Sequence, residues 1–125
     1  MNSALAAAIA TALSAGGSAL REGEPLAALV HFERAHVLGQ WHTVAHLRAH
    51  WGMLVAGVAL RDYREVAGQL YRIVGAVLLT PVGCLPVGNS GRARVSALSP
   101  MPIDQLTRSL LVSDPRSSKG LGRAS

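Results

Sequence analysis

The segment from His31 to Trp51 reads HFERAHVLGQWHTVAHLRAHW, and a helical rhythm runs through it on both sides of a break at Gly39-Gln40. Before the break, Ala28, Phe32 and Ala35 form an apolar stripe, and Glu33 and His36 are spaced i, i+3 on a common face. After it, His42, His46 and His50 fall at i, i+4 and i+8, again on one face. Two helices joined by so short a turn fold back antiparallel. Counting outward from Gln40 sets His36 level with His46 and places Glu33 between the levels of His46 and His50.

Working outward, the pattern predicts an all-α fold. A first helix over about Asn2 to Leu20 is capped by Gly23, and Pro25 opens a second that runs to about Leu38. A third runs from about Trp41 to Leu60 with Met53, Leu54 and Val58 as its apolar face. A fourth, about Tyr63 to Leu79, carries Val66, Leu70, Ile73 and Val77 at helical spacing. Residues 81–103 are rich in Pro and Gly and predict an extended strap lying over the helices. A short helix from about Ile103 to Val112 completes a single domain over residues 1–112, and residues 113–125 are expected to be a flexible basic tail.

Composition narrows the function classes. Half of the 125 residues are hydrophobic but only 4% are aromatic, so the core is built from Ala, Leu and Val, which suits closely packed helices. At 15%, charged residues are few, which leaves room for a self-association surface or another protein partner. The formal net charge is +5, but the arginines are scattered singly without interleaved aromatics, so nucleic acid is an unfavoured partner. With one cysteine, Cys84, no internal disulfide can form, which fits a cytoplasmic setting. The apolar stretch Ala4 to Leu13 lacks a basic leader segment and reads as a close-packed first helix, and Ile73 to Val82 is too short to span a bilayer.

The clustered histidines carry the chemistry. Neutral imidazole is a good ligand for zinc, iron, copper and nickel. Three nitrogens with one carboxylate oxygen suit tetrahedral zinc. We therefore expect Glu33, His36, His46 and His50 to form a metal site for zinc first and iron second, with His42 an additional candidate and His31 out of step. A di-iron centre needs more carboxylates than Asp62 and Glu65 can add on the later helices. Buried histidines hydrogen-bonded to Glu33 and Gln40 explain the same spacing without metal. No motif for a nucleotide or organic cofactor is visible, and no catalytic residue can be assigned.

Gly16, Gly23, Ala28, Phe32 and Ala35, followed more loosely by Met53, Tyr63, Val66, Leu70 and Ile73, resemble the small and aromatic positions of tetratricopeptide repeats. That resemblance implies two stacked helix-turn-helix hairpins. The chain is also similar to a family of short, uncharacterised bacterial proteins defined by a domain of unknown function. The matching segments are His31 to Gln40, His46 to Trp51, Glu65-Val66 with Gly68-Gln69, Pro86 to Asn89, Val95-Ser96 and Pro100 to Pro102. This second resemblance implies a helical fold and supplies no activity. Three functions follow as expectations. The first is a small metal-binding protein for metal handling or sensing. The second is an interaction module with a metal-free histidine core, and the third a metal-dependent enzyme.

Overall fold

The computed structural model of the chain describes residues 1–83, 85–96 and 99–123; Cys84 lies outside them. Among the described residues there are six helices and no strand: α1 (Ser3–Arg21), α2 (Pro25–Gly39), α3 (Thr43–Ala59), α4 (Tyr63–Leu79), α5 (Gln105–Val112) and α6 (Pro115–Arg123). The first four stack in chain order, each packed against the next. Local chemistry sets the ends. The side chains of Asn2, Asp62 and Asp104 accept the Leu5, Glu65 and Thr107 N–H groups at the starts of α1, α4 and α5. Gly23 takes φ 76 just beyond α1, the left-handed cap expected from its position.

Phe32 fixes the spacing of α1, α2 and α3. Its ring from α2 lies between Gly16 of α1 and Gly52 of α3: a Cβ on Gly16 would sit 2.6 Å from the ring, and one on Gly52 would collide with it as well. The glycines that weaken isolated helices are here the sockets for the one phenylalanine. Around it pack Ala12, Ala28, Ala35, Ala49, Met53 and Ala56. By length and composition α1 could cross a membrane; here Leu5, Ile9, Ala12, Gly16 and Ala19 form its buried face in the bundle.

Two elements depart from the plain sequence pattern. The apolar stripe of α4 is turned outward or half-outward: Leu70 is 55% and Val77 50% exposed, while Glu65, Gln69 and Ala76 are buried. The polar pair goes inside because Gln69 and Glu65 Oε1 are hydrogen-bonded and Glu65 Oε2 is ion-paired with Arg92, as described below. The tail also differs, since residues 115–123 form α6 rather than a flexible segment. Gly120 of α6 seats against Trp41, and Asp114, fully buried, anchors the helix start. Its carboxylate accepts the Asn2 N–H at 2.9 Å, the His42 Nε2 at 2.9 Å and the Ser117 hydroxyl at 3.1 Å. The strap is present as expected, with residues 85–96 and 99–104 non-helical. Asn89 shapes it, donating to the Ser96 and Ser99 carbonyls and accepting the Gly91 N–H.

Overpacking a closed core costs roughly 1–3 kcal/mol, so Gly52→Val lowers thermal stability by about that amount, whereas Val74→Ser on the exposed α4 face shifts it by less than about 0.5 kcal/mol. Thermal unfolding of the two variants checks this. Burial alone would raise the Asp114 carboxyl pKa, but the Ser117 and Asn2 N–H groups and His42 together hold it below the ordinary carboxylate range. A depressed carboxylate contributes stability that is complete above about pH 4 and lost as the pH falls through its folded value. The stability gap between wild type and Asp114→Asn is therefore wide at pH 7 and closes as the solution is acidified below pH 4 in a denaturation series.

Candidate metal centre

Three of the histidines read from the sequence meet in the interior. His36 from α2 and His46 and His50 from α3 are all buried, and one ring nitrogen of each lies within 4.8 Å of the others. His46 Nε2 is central, 2.8 Å from His36 Nε2 and 3.1 Å from His50 Nε2. Ring centroids are 4.5–4.7 Å apart. The level counting about Gln40 placed His36 and His46 correctly, and the next turn of α3 brings His50 alongside.

The opposite nitrogens are fixed by oxygen atoms from three other places in the chain. His36 Nδ1 is 2.8 Å from the Asn89 carbonyl of the strap, which can only accept, so Nδ1 carries the hydrogen and Nε2 presents a bare lone pair. His50 Nδ1 is 2.6 Å from Gln69 Oε1. The Gln69 amide N–H groups are spent on Glu65 Oε1 at 2.6 Å and the Gly91 carbonyl at 2.8 Å, so Oε1 accepts and His50 Nε2 is bare too. His46 Nδ1 lies 2.6 Å from the hydroxyl of Thr80, the residue that ends α4. A hydroxyl can donate or accept, so this ring alone can carry its hydrogen on either nitrogen.

That logic defines what the cluster can do. With His46 protonated on Nδ1, three lone pairs face one another at close range. With the hydrogen on Nε2, a single N–H lies between two acceptors. Both states keep the rings neutral. Burial, with repulsion from neighbouring imidazoles, pushes His36 well below the ordinary histidine value and His46 down to about 3. Burial likewise lowers His50 to about 4, against a partly opposing hydrogen bond from Gln69. Neutral imidazoles with converging lone pairs can hold a metal ion, and the same set can close as a hydrogen-bonded core. Tetrahedral zinc with bonds of about 2.0–2.1 Å needs nitrogens about 3.3–3.4 Å apart, a few tenths of an ångström beyond the two separations at His46 Nε2.

The other candidates lie elsewhere. Glu33 Oε1 accepts from Arg92 Nη1 at 2.8 Å, and Arg92 Nε faces the buried Glu65 Oε2 at 3.1 Å, so the strap arginine holds the carboxylate apart from the histidines. His42 precedes α3 and pairs with Asp114. His31, partly exposed, is outside the cluster. Sequence reasoning missed Gln69, Thr80 and Asn89, the oxygen partners that orient the rings. Gln69 carried a signal, as a long polar side chain one turn after Glu65 on a helix otherwise read by its apolar stripe. Gly91 is needed for close approach: at φ 80, a Cβ there would lie 2.8 Å from the His36 ring.

A stacked all-α bundle with a buried triple-histidine cluster under a strap is the class that fold and site define. The chain belongs to the family described as Protein of unknown function (DUF3703), whose sequence model matches residues 3–111 and so spans the whole cluster and its oxygen partners. No curated protein and no solved structure matches it.

The assignment of hydrogens predicts the NMR signature of the cluster. At pH 7 the Nε2 resonances of metal-free His36 and His50 are those of unprotonated imidazole nitrogen. Because both pKa values are depressed, neither ring titrates between pH 8 and 5, which nitrogen-15 shifts across that range read directly.

Proposed function

We propose that the protein binds one divalent transition metal through His36, His46 and His50 and serves in metal handling or sensing in the cytoplasm. One observation carries this reading: the Nδ1 atoms of His36 and His50 are committed as donors, which leaves lone pairs crowded around His46 Nε2. A cation at their centre turns that repulsion into three bonds. The oxygen partners are what ligating imidazoles require, since a hydrogen-bonded Nδ1–H fixes the ring and raises its basicity. Glu65 extends the support, reaching His50 through the Gln69 amide. Nitrogen donors without a carboxylate favour zinc and leave iron second.

A second reading rests on α4, whose outward Leu70, Val74, Val77 and Leu78 form an uncharged face suited to self-association or a protein partner. It is compatible with a metal in the interior.

Elemental analysis of untagged protein tests the first reading. The expected result is about one zinc per chain, falling at least tenfold in His46→Ala and His50→Ala. His31→Ala and Glu33→Gln retain it, and added zinc raises the melting temperature of wild type but not of the two ligand variants. Metal content unchanged by the His46 and His50 substitutions would overturn the assignment.

A further inference from the structure

Beside the three imidazoles lies a cavity of about 370 Å³, large enough for a small organic molecule. His36, His46 and His50 line it, and Val74, Leu78, Leu79, Leu85 and Pro86 are among its apolar walls. Besides the histidines and the strap, the polar side chains that line it are Gln40, Tyr71 and Arg72, and two of them, Gln40 and Arg72, bear on what the cavity can take.

Gln40 follows the last residue of α2, four positions beyond His36, and is 1% exposed. Its Nε2 donates to the Pro86 carbonyl at 3.2 Å, which fixes the orientation of the amide. Its Oε1 is buried with no donor. A buried carbonyl oxygen without a partner costs on the order of 1–3 kcal/mol, so this wall is built to meet a hydrogen that something else supplies. Arg72 of α4 is the second. Its guanidinium donates to the Val95 carbonyl but pairs with no carboxylate among the described residues. The nearby Glu65 is taken up by Arg92 and Gln69. No acidic residue lines the cavity.

We infer that this cavity binds a short apolar hydroxy acid, whose carboxylate and hydroxyl oxygens meet the metal at the histidines. Arg72 balances the carboxylate, Gln40 Oε1 accepts the hydroxyl hydrogen, and the hydrocarbon body lies along the α4 wall. The inference rests on the metal reading above and adds the ligand class. Charge selects the head, since arginine and metal are both cationic and nothing acidic opposes them. The apolar walls select the body, and the hydroxyl is selected because only a donor relieves Gln40.

The test uses full-length protein loaded with cobalt(II), whose visible absorption reports changes at the metal. Titration with 2-hydroxyoctanoate is expected to shift the bands and to bind about tenfold or more tightly than lactate, which has the same head and almost no hydrocarbon. Octanoate, without the hydroxyl, is expected to bind more weakly than 2-hydroxyoctanoate. That difference disappears in Gln40→Leu, which keeps the cobalt spectrum of the free protein. Val74→Asp, at a 61% exposed position on the rim, weakens all three acids while leaving the cobalt in place. Cobalt bound with no response to 2-hydroxyoctanoate, or with lactate its equal, overturns the ligand assignment and leaves the metal site standing. Failure to bind cobalt or zinc at all overturns both.

Discussion

The structure depends on a constraint of imidazole chemistry: a neutral ring has one hydrogen and one lone pair, and committing the hydrogen decides where the lone pair points. Here the hydrogens of His36 and His50 are committed outward, to the Asn89 carbonyl and the Gln69 amide oxygen. What remains points inward at His46. The folded arrangement of the strap, α2, α3 and α4 can be understood as the means of holding those hydrogens in place. Asn89 brings in the strap, Gln69 and Thr80 bring in the middle and the C-terminal end of α4, and Gly91 lets the strap approach the His36 ring.

This also explains the inverted α4. A helix that faced the core with Val66, Leu70, Ile73 and Val77 would bury more hydrocarbon, yet it would leave His46 and His50 without oxygen partners. Buried polar groups without partners are costly, and a network paired through hydrogen bonds and the Arg92–Glu65 ion pair offsets the loss of apolar burial. Glu65 illustrates the point: fully buried, it is matched by Arg92, Gln69 and the Ala93 N–H. Arg92 in turn occupies Glu33, which leaves the cluster composed of nitrogen alone.

Much of this was legible in the sequence, and the rest was not for definite reasons. The helical hairpin and the meeting of His36 with His46 and His50 follow from local periodicity and a short turn, both properties of neighbouring residues. Glu33 was grouped with the histidines by the same counting, but counting fixes height along a helix and not which partner from outside claims a side chain; Arg92 lies 59 positions away. The outward face of α4 is not legible in the spacing of Val66, Leu70, Ile73 and Val77, because Glu65 and Gln69 on the opposite side are drawn inward by Arg92 and Gly91 of the distant strap. The tail became α6 through Asp114 and Gly120, whose partners Asn2, His42 and Trp41 are distant in sequence.

The central claim is that the three Nε2 atoms surround a metal ion. X-ray absorption at the zinc edge on untagged protein addresses it directly. The account predicts bound zinc with a shell of nitrogen or oxygen neighbours near 2.0–2.1 Å and the outer-shell scattering of about three imidazole rings. Zinc absent from the purified protein and not taken up on addition, or bound without imidazole scattering, would contradict it and leave the histidines as a hydrogen-bonded core.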